Sequence, residues 1–213
     1  MAAAVVLADA PRSPAALAAL DPLLGAQGRA RVQAALLALA AGWAAAVTPG
    51  RATIAVEPAG AAADVAALTP GVRVEPQAGG HPGERVAAAV AAAFDRHGGP
   101  VLVAGAGVPR LSPAHAAAAL GDLAGGAEAS FGPAMDGGWY LTALAAPRPE
   151  LFDLAAEVWQ GPVVMARTLE VAQRLGMEVG LLRMERRLVT AGDARALLAD
   201  PLTPPAVRAA LTA

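Results

Sequence analysis

The chain has 213 residues, a formal charge of −2 and only 3% aromatic residues, so it offers neither a basic footprint for nucleic acid nor a supply of rings for base stacking. With zero cysteines it has no disulfide framework and no thiolate chemistry. Hydrophobic residues make up 56% of the chain, and much of that is alanine, which favours helices pressed closely on a sheet.

The length suits one large domain over residues 1–213, with no internal repeat or linker. The opening MAAAVVLADAPRSP lacks the basic n-region of a signal peptide and reads as a first buried strand at 4–7, which points to the cytoplasm. The richest apolar run, 34–47, reads as a core helix, and a helix is expected at 27–46. No uninterrupted apolar run reaches the ~18 residues of a membrane span, so no membrane partner is expected. Strands follow at 52–56 and 72–75, a helix at 83–96 and a strand at 101–104. Ser112-Pro113 then supplies an N-cap and a first-turn proline for a helix at 113–123. Strands at 127–131 and 139–143, a helix at 163–175 and a strand at 178–182 come next. Thr190 and Asp193 form a capping-box pattern ahead of helices at 191–198 and 205–211. Short apolar runs alternating with amphipathic stretches predict an α/β fold, a mostly parallel sheet with helices on both faces. Ligands of such sheets sit beyond the carboxyl ends of the strands, after Leu7, Ala104 and Phe131 here.

The most informative stretch is Gly132-Pro133-Ala134-Met135-Asp136-Gly137-Gly138-Trp139-Tyr140-Leu141. An acid followed by two glycines between strands is either a D-G hairpin turn or a carboxylate that a ligand's approach requires. His81, in a loop without a ligand-spaced partner, has solvation as its plain reading. Arg183, Arg186 and Arg187 form a small cluster, either a solvated patch or a phosphate site.

GPAMDGGWYL resembles the GPAxDGGYYL signature of a bacterial glycosyltransferase-like family with the nucleotide-diphospho-sugar transferase (GT-A) fold, some of whose members are assigned to arsenosugar biosynthesis. It is also similar to the GPAxDGG stretch of 2-phospho-lactate guanylyltransferases. Gln77 through Arg85 resembles the family's Q-x-x-G-D-L-G-x-R segment, 101–109 its strand into G-[ST]-D-x-P, 159–168 its W-[ST]-x-x-x-V-x-x-x-T segment, and 188–194 the tail of D-V-D-T-x-x-D-L. The resemblance implies a Rossmann-like GT-A fold and a nucleotide or nucleotide-sugar ligand. It implies Asp136 as the catalytic carboxylate and metal ligand, with Gly105, Pro133, Ala134, Gly137, Gly138, Tyr140, Arg85 and His81 around the ligand. The cation would be magnesium or manganese, but the departures bear on it directly. Leu17 and Ala19 replace the cations of the family's phosphate loop. Gly107, His81, Arg187 and Val189 stand where the family has acids. Two functions stay open: a nucleotidyl- or glycosyltransferase-like enzyme, and an inactive member serving as a binding or scaffold subunit. A homodimer or a protein partner fits either.

Overall fold

In the computed structural model, which describes residues 1–213, the first strand β1 (Ala3–Asp9) lies in the middle of a seven-stranded sheet. Around it are β2 (Ala52–Glu57), β3 (Arg73–Pro76), β4 (Val101–Gly105), β5 (Ala129–Pro133), β6 (Trp139–Leu144) and β7 (Val179–Leu181). Their order is β3-β2-β1-β4-β6-β5-β7. Only β6 runs antiparallel to its neighbours, as the direct return after the GPAMDGG turn requires. All seven strands and all six helices expected from the sequence are present.

The helices are α1 (Asp21–Val47), α2 (Ala62–Leu68), α3 (Pro82–His97), α4 (Pro113–Ala124), α5 (Ala156–Gln160), α6 (Val164–Arg174), α7 (Ala191–Ala199) and α8 (Pro205–Thr212). Two short ones, α2 and α5, go beyond the sequence expectation. One face of the sheet packs Ala4, Val6, Leu102, Ala104 and Tyr140 against α1, α2 and α4. The other face packs Val5, Val103, Phe131 and Trp139 against α3 and α6. Alternate residues of one strand thus enter opposite cores, and β4, and β1 up to its terminal Asp9, are accordingly apolar.

The helix α1 is broken at Gly25, where φ is 62°, so its long regular part begins close to the expected residue 27. Residues 18–47 are long and apolar enough, by length and composition, to cross a bilayer. Interrupted apolar runs conceal this in the sequence, because Gly42 and small residues dilute the stretch. In the fold the apolar character has partners on two sides, while Ala38, Gly42 and Ala46 face solvent. Leu37, Ala41 and Trp43 face the sheet, while Val32 and Leu36 meet Leu197, Val207 and Leu211 of α7 and α8.

Leu102 is fully buried on the central strand β4. Leu102→Ala is expected to lower stability by about 2–5 kcal/mol through lost transfer energy and the cavity left behind. A chemical denaturation midpoint shifted at unchanged slope is the measurement that checks it.

Candidate functional site

The chain leaves β1 towards β2 on one side and reaches β4 on the other, so the β1–β4 junction is the sheet's topological switch point. A cleft of about 560 Å³ opens there, at the carboxyl ends of the strands. Leu7, Ala8 and Asp9 of β1 and Gly105 of β4 form its floor. Gln77 and Arg85 approach from one side; Asp136, Trp139 and Arg187 approach from another, and Trp159–Val164 closes the rim.

The glycines of the GPAMDGG turn have steric reasons. A Cβ at Gly132 would lie 2.4 Å from the Tyr140 ring, and one at Gly137 would lie 1.8 Å from the Pro162 carbonyl oxygen. Gly137 also has φ of 83°, the left-handed region that disfavours a side chain. Its carbonyl accepts from the Met165 N–H at 2.9 Å, which ties the turn to the start of α6. Met135 N–H donates to the Glu185 carbonyl and Glu185 N–H to that of Pro133, both at 3.0 Å. The turn is therefore gripped from two later segments, and Asp136 is left pointing into the cleft.

There Asp136 meets a guanidinium. Arg187 donates to Asp136 Oδ2 through Nη2 at 2.6 Å and Nε at 2.8 Å. The other carboxylate oxygen accepts from the Gly138 N–H at 3.2 Å. A charge-assisted pair of this kind is among the stronger polar contacts a protein makes.

The arginine triplet is three separate pairs. Arg183 contacts Glu185 at 2.9 Å, Arg186 contacts Asp193 at 2.7 Å, and only Arg187 reaches the cleft. The segment is also anchored by Leu188, which is buried among α1, α7 and α8 and donates its N–H to the Gly107 carbonyl at 2.8 Å. Alternation along this extended stretch then turns Arg187 and Val189 into the cleft. The capping box expected at Thr190 and Asp193 is formed. Burial pushes the Asp193 carboxyl up, but the Thr190 N–H, Arg186 and the Thr190 hydroxyl outweigh it and hold it below the usual carboxylate range.

Of the residues that the resemblance placed around a ligand, Arg85, Gly105, Asp136 and Gly138 line the cleft. Pro133, Ala134 and Gly137 support the turn from behind. Tyr140 is fully buried on the opposite side of the sheet, where its hydroxyl donates to the Arg183 carbonyl at 3.1 Å. Burial and then the nearby Glu185 push the Tyr140 phenol up to about 12. His81 is the N-cap of α3: its Nδ1 accepts from the Gly83 N–H at 3.2 Å. The sequence reading did not single out Asp9, Gln77 or Trp159, all of which line the cleft. A lone acid directly after an apolar strand is the signal for Asp9. Burial, opposed by Arg85 and reinforced by Glu57, raises its carboxyl above the usual value.

The protein alone supplies no closed cage for magnesium or manganese. Hard cations take several oxygen ligands, whereas no three His, Asp or Glu side chains converge in the chain, and Arg187 already holds the Asp136 carboxylate.

A family profile described as "Uncharacterized protein conserved in bacteria" matches residues 40–156. No curated protein matches by sequence. Among solved structures, a candidate nucleotide-diphospho-sugar transferase from Desulfovibrio desulfuricans G20 superposes with a TM-score of 0.83 at 23% identity, covering 99% of this chain and 94% of its own. The 4-diphosphocytidyl-2C-methyl-D-erythritol synthase of Anaerococcus prevotii gives 0.59 at 10% identity, covering 94% and 99%. A CMP:2-keto-3-deoxy-manno-octonic acid synthetase complexed with CTP gives 0.52 at 12%, covering 93% and 98%. The fold is therefore that of the nucleotide-diphospho-sugar transferases, as the sequence motifs implied.

Gly137→Ala should cost several kcal/mol, above the ~1–3 kcal/mol of backbone strain alone, because its Cβ would also meet Pro162. Gly126→Ala, with φ of 108° but open space around it, should cost only the strain; thermal melts of the two variants test the contrast. A carboxyl lowered by folding adds stability above its unfolded pKa and loses it as pH falls through the folded one. Asp193→Asn should thus cost about 0.2–1 kcal/mol at pH 7, the worth of its partly exposed ion pair with Arg186. The difference from wild type should shrink as pH drops below the carboxylate range, followed by denaturant titrations at each pH.

Proposed function

The chain belongs to DUF2064, a family of uncharacterized proteins conserved in bacteria, and from that premise we propose that its cleft binds a nucleotide or nucleotide-sugar at the carboxyl ends of the strands, with arginines in place of a divalent cation. The observation that carries the reading is the Arg187 guanidinium seated on Asp136 inside the switch-point cleft. Its fold relatives include proteins whose names specify nucleotide-diphospho-sugar transfer and a CTP complex, which supports a phosphate-bearing ligand.

A guanidinium carries five N–H donors in a planar fork. The Asp136 contact uses Nε and one terminal nitrogen of Arg187, which leaves donors for phosphate oxygens. Arg85 is less committed, since its nearest carboxylate, Glu57, is 3.9 Å away. Two cations on one cleft can neutralise a diphosphate without metal, replacing the two lost from the family's phosphate loop at Leu17 and Ala19. Asp136 would then serve to position Arg187 and to compete with the anion for it. Metal-dependent transfer forms no part of the reading.

Calorimetric titration with nucleoside diphosphates and nucleotide-sugars tests it. Saturable binding should be the same in EDTA as with magnesium or manganese. Arg187→Ala should weaken it by about tenfold or more, the worth of one lost hydrogen bond to a charged group, and Asp136→Asn should tighten it by freeing Arg187. Binding that appears only with a divalent cation would overturn the proposal.

A further inference from the structure

Two acceptors facing the cleft have no donor within the protein. The Gln77 side-chain amide donates to the Ala8 carbonyl at 3.1 Å and the Ala55 carbonyl at 3.0 Å, at the ends of β1 and β2. Both of its hydrogens are spent on backbone, which fixes which end of the amide is nitrogen and leaves Oε1 as the free group. The Gln77 N–H is tied to the Val56 carbonyl at 2.9 Å, so the residue is held from both ends. Asp9, the last residue of β1, is half-buried and lines the same cleft. Its backbone carbonyl accepts from Gln33 Nε2 at 2.8 Å, but its carboxylate takes part in no hydrogen bond or ion pair. Both residues are only half-buried, so water satisfies these acceptors in the open cleft, and a ligand that displaces it must bring donors of its own.

That ligand group is a donor, and its charge is restricted. A phosphate is an acceptor like the two groups it would face and would meet the Asp9 charge. An ammonium would stand beside the Arg85 guanidinium, whose charge already acts on Asp9. Neutral hydroxyls satisfy both limits, and because the Gln77 amide is bonded to the carbonyl of Ala8, next to Asp9 in β1, a pair of neighbouring hydroxyls is the donor set that suits this end of the cleft.

We propose that the Asp9 carboxylate and Gln77 Oε1 form a subsite that accepts hydrogen bonds from the vicinal hydroxyls of a sugar ring on the cleft's ligand. This rests on the nucleotide reading above and adds to it the part of the ligand that Asp9 and Gln77 recognise. Two rings carry that chemistry: the ribose of the nucleotide and a hexose attached through the diphosphate.

Calorimetry with wild type and Asp9→Ala tests the subsite. The probes are ribonucleoside diphosphates of the four bases, their 2′,3′-dideoxy forms, and the same nucleotides as diphosphoglucose conjugates. A ribose subsite makes the ribo form bind about tenfold tighter than the dideoxy form. A hexose subsite makes the glucose conjugate bind about tenfold tighter than the bare diphosphate. Either ratio should fall to about one in Asp9→Ala, whereas a merely structural role would weaken both ligands and leave the ratio intact. Asp9→Asn keeps the size of the side chain and one acceptor and should give an intermediate ratio, so the test survives if the alanine variant does not fold. Diphosphate binding with neither ratio above one overturns the subsite and leaves the nucleotide reading standing. Absence of binding by every probe overturns both.

Discussion

A carboxylate on a glycine turn is held by an arginine that lies 51 residues further along the chain, and the character of the cleft follows from that one pair. The pair needs Asp136 aimed inward, which needs a turn that only glycine at Gly132 and Gly137 allows. It also needs Arg187 presented at the right depth, which Leu188 ensures by being buried on the far side. Breaking either half would leave a half-buried charge uncompensated, a costlier state than the loss of an exposed ion pair. The local geometry of the turn, the packing of the outer helices and the electrostatics of the cleft are thus one connected constraint.

Much of the fold was legible in the residues because its signals are local. The uninterrupted apolar runs at β1, β2 and β4 announce strands covered on both faces, and Ser112-Pro113 and Thr190 announce helix starts. The two missed helices are short: α2 and α5 span 62–68 and 156–160, too few residues for a 3.6-residue period to register. The bilayer-length apolar content of 18–47 was hidden for the opposite reason, since small residues spread it over several turns.

The site was legible only in part, because its meaning lies in contacts between distant segments. The turn around Asp136 could be recognised from its glycines, but its partner could not. Arg183, Arg186 and Arg187 look like one basic patch in the chain, yet each finds a different carboxylate. Asp9 looks like any acid leaving a strand until Gln77, nearly seventy residues later, bonds the carbonyl of the preceding Ala8 and lines the same cleft. Tyr140 shows the converse: it sits within the most informative motif and faces the core, because neighbours on a strand point to opposite sides of a sheet.

The segment that carries Arg187 is also where the outer helical layer begins, and this sets an order of assembly. All seven strands, together with Asp136, precede it in the chain. As synthesis proceeds from the N-terminus, the carboxylate of the turn is therefore made well before its counter-ion. Without α7 and α8 over α1, Leu188 would lose its packing, Arg187 its anchor, and Val32 and Leu36 their cover. The final charge of the cleft and the shielding of α1 arrive together, in the last segment of the chain described.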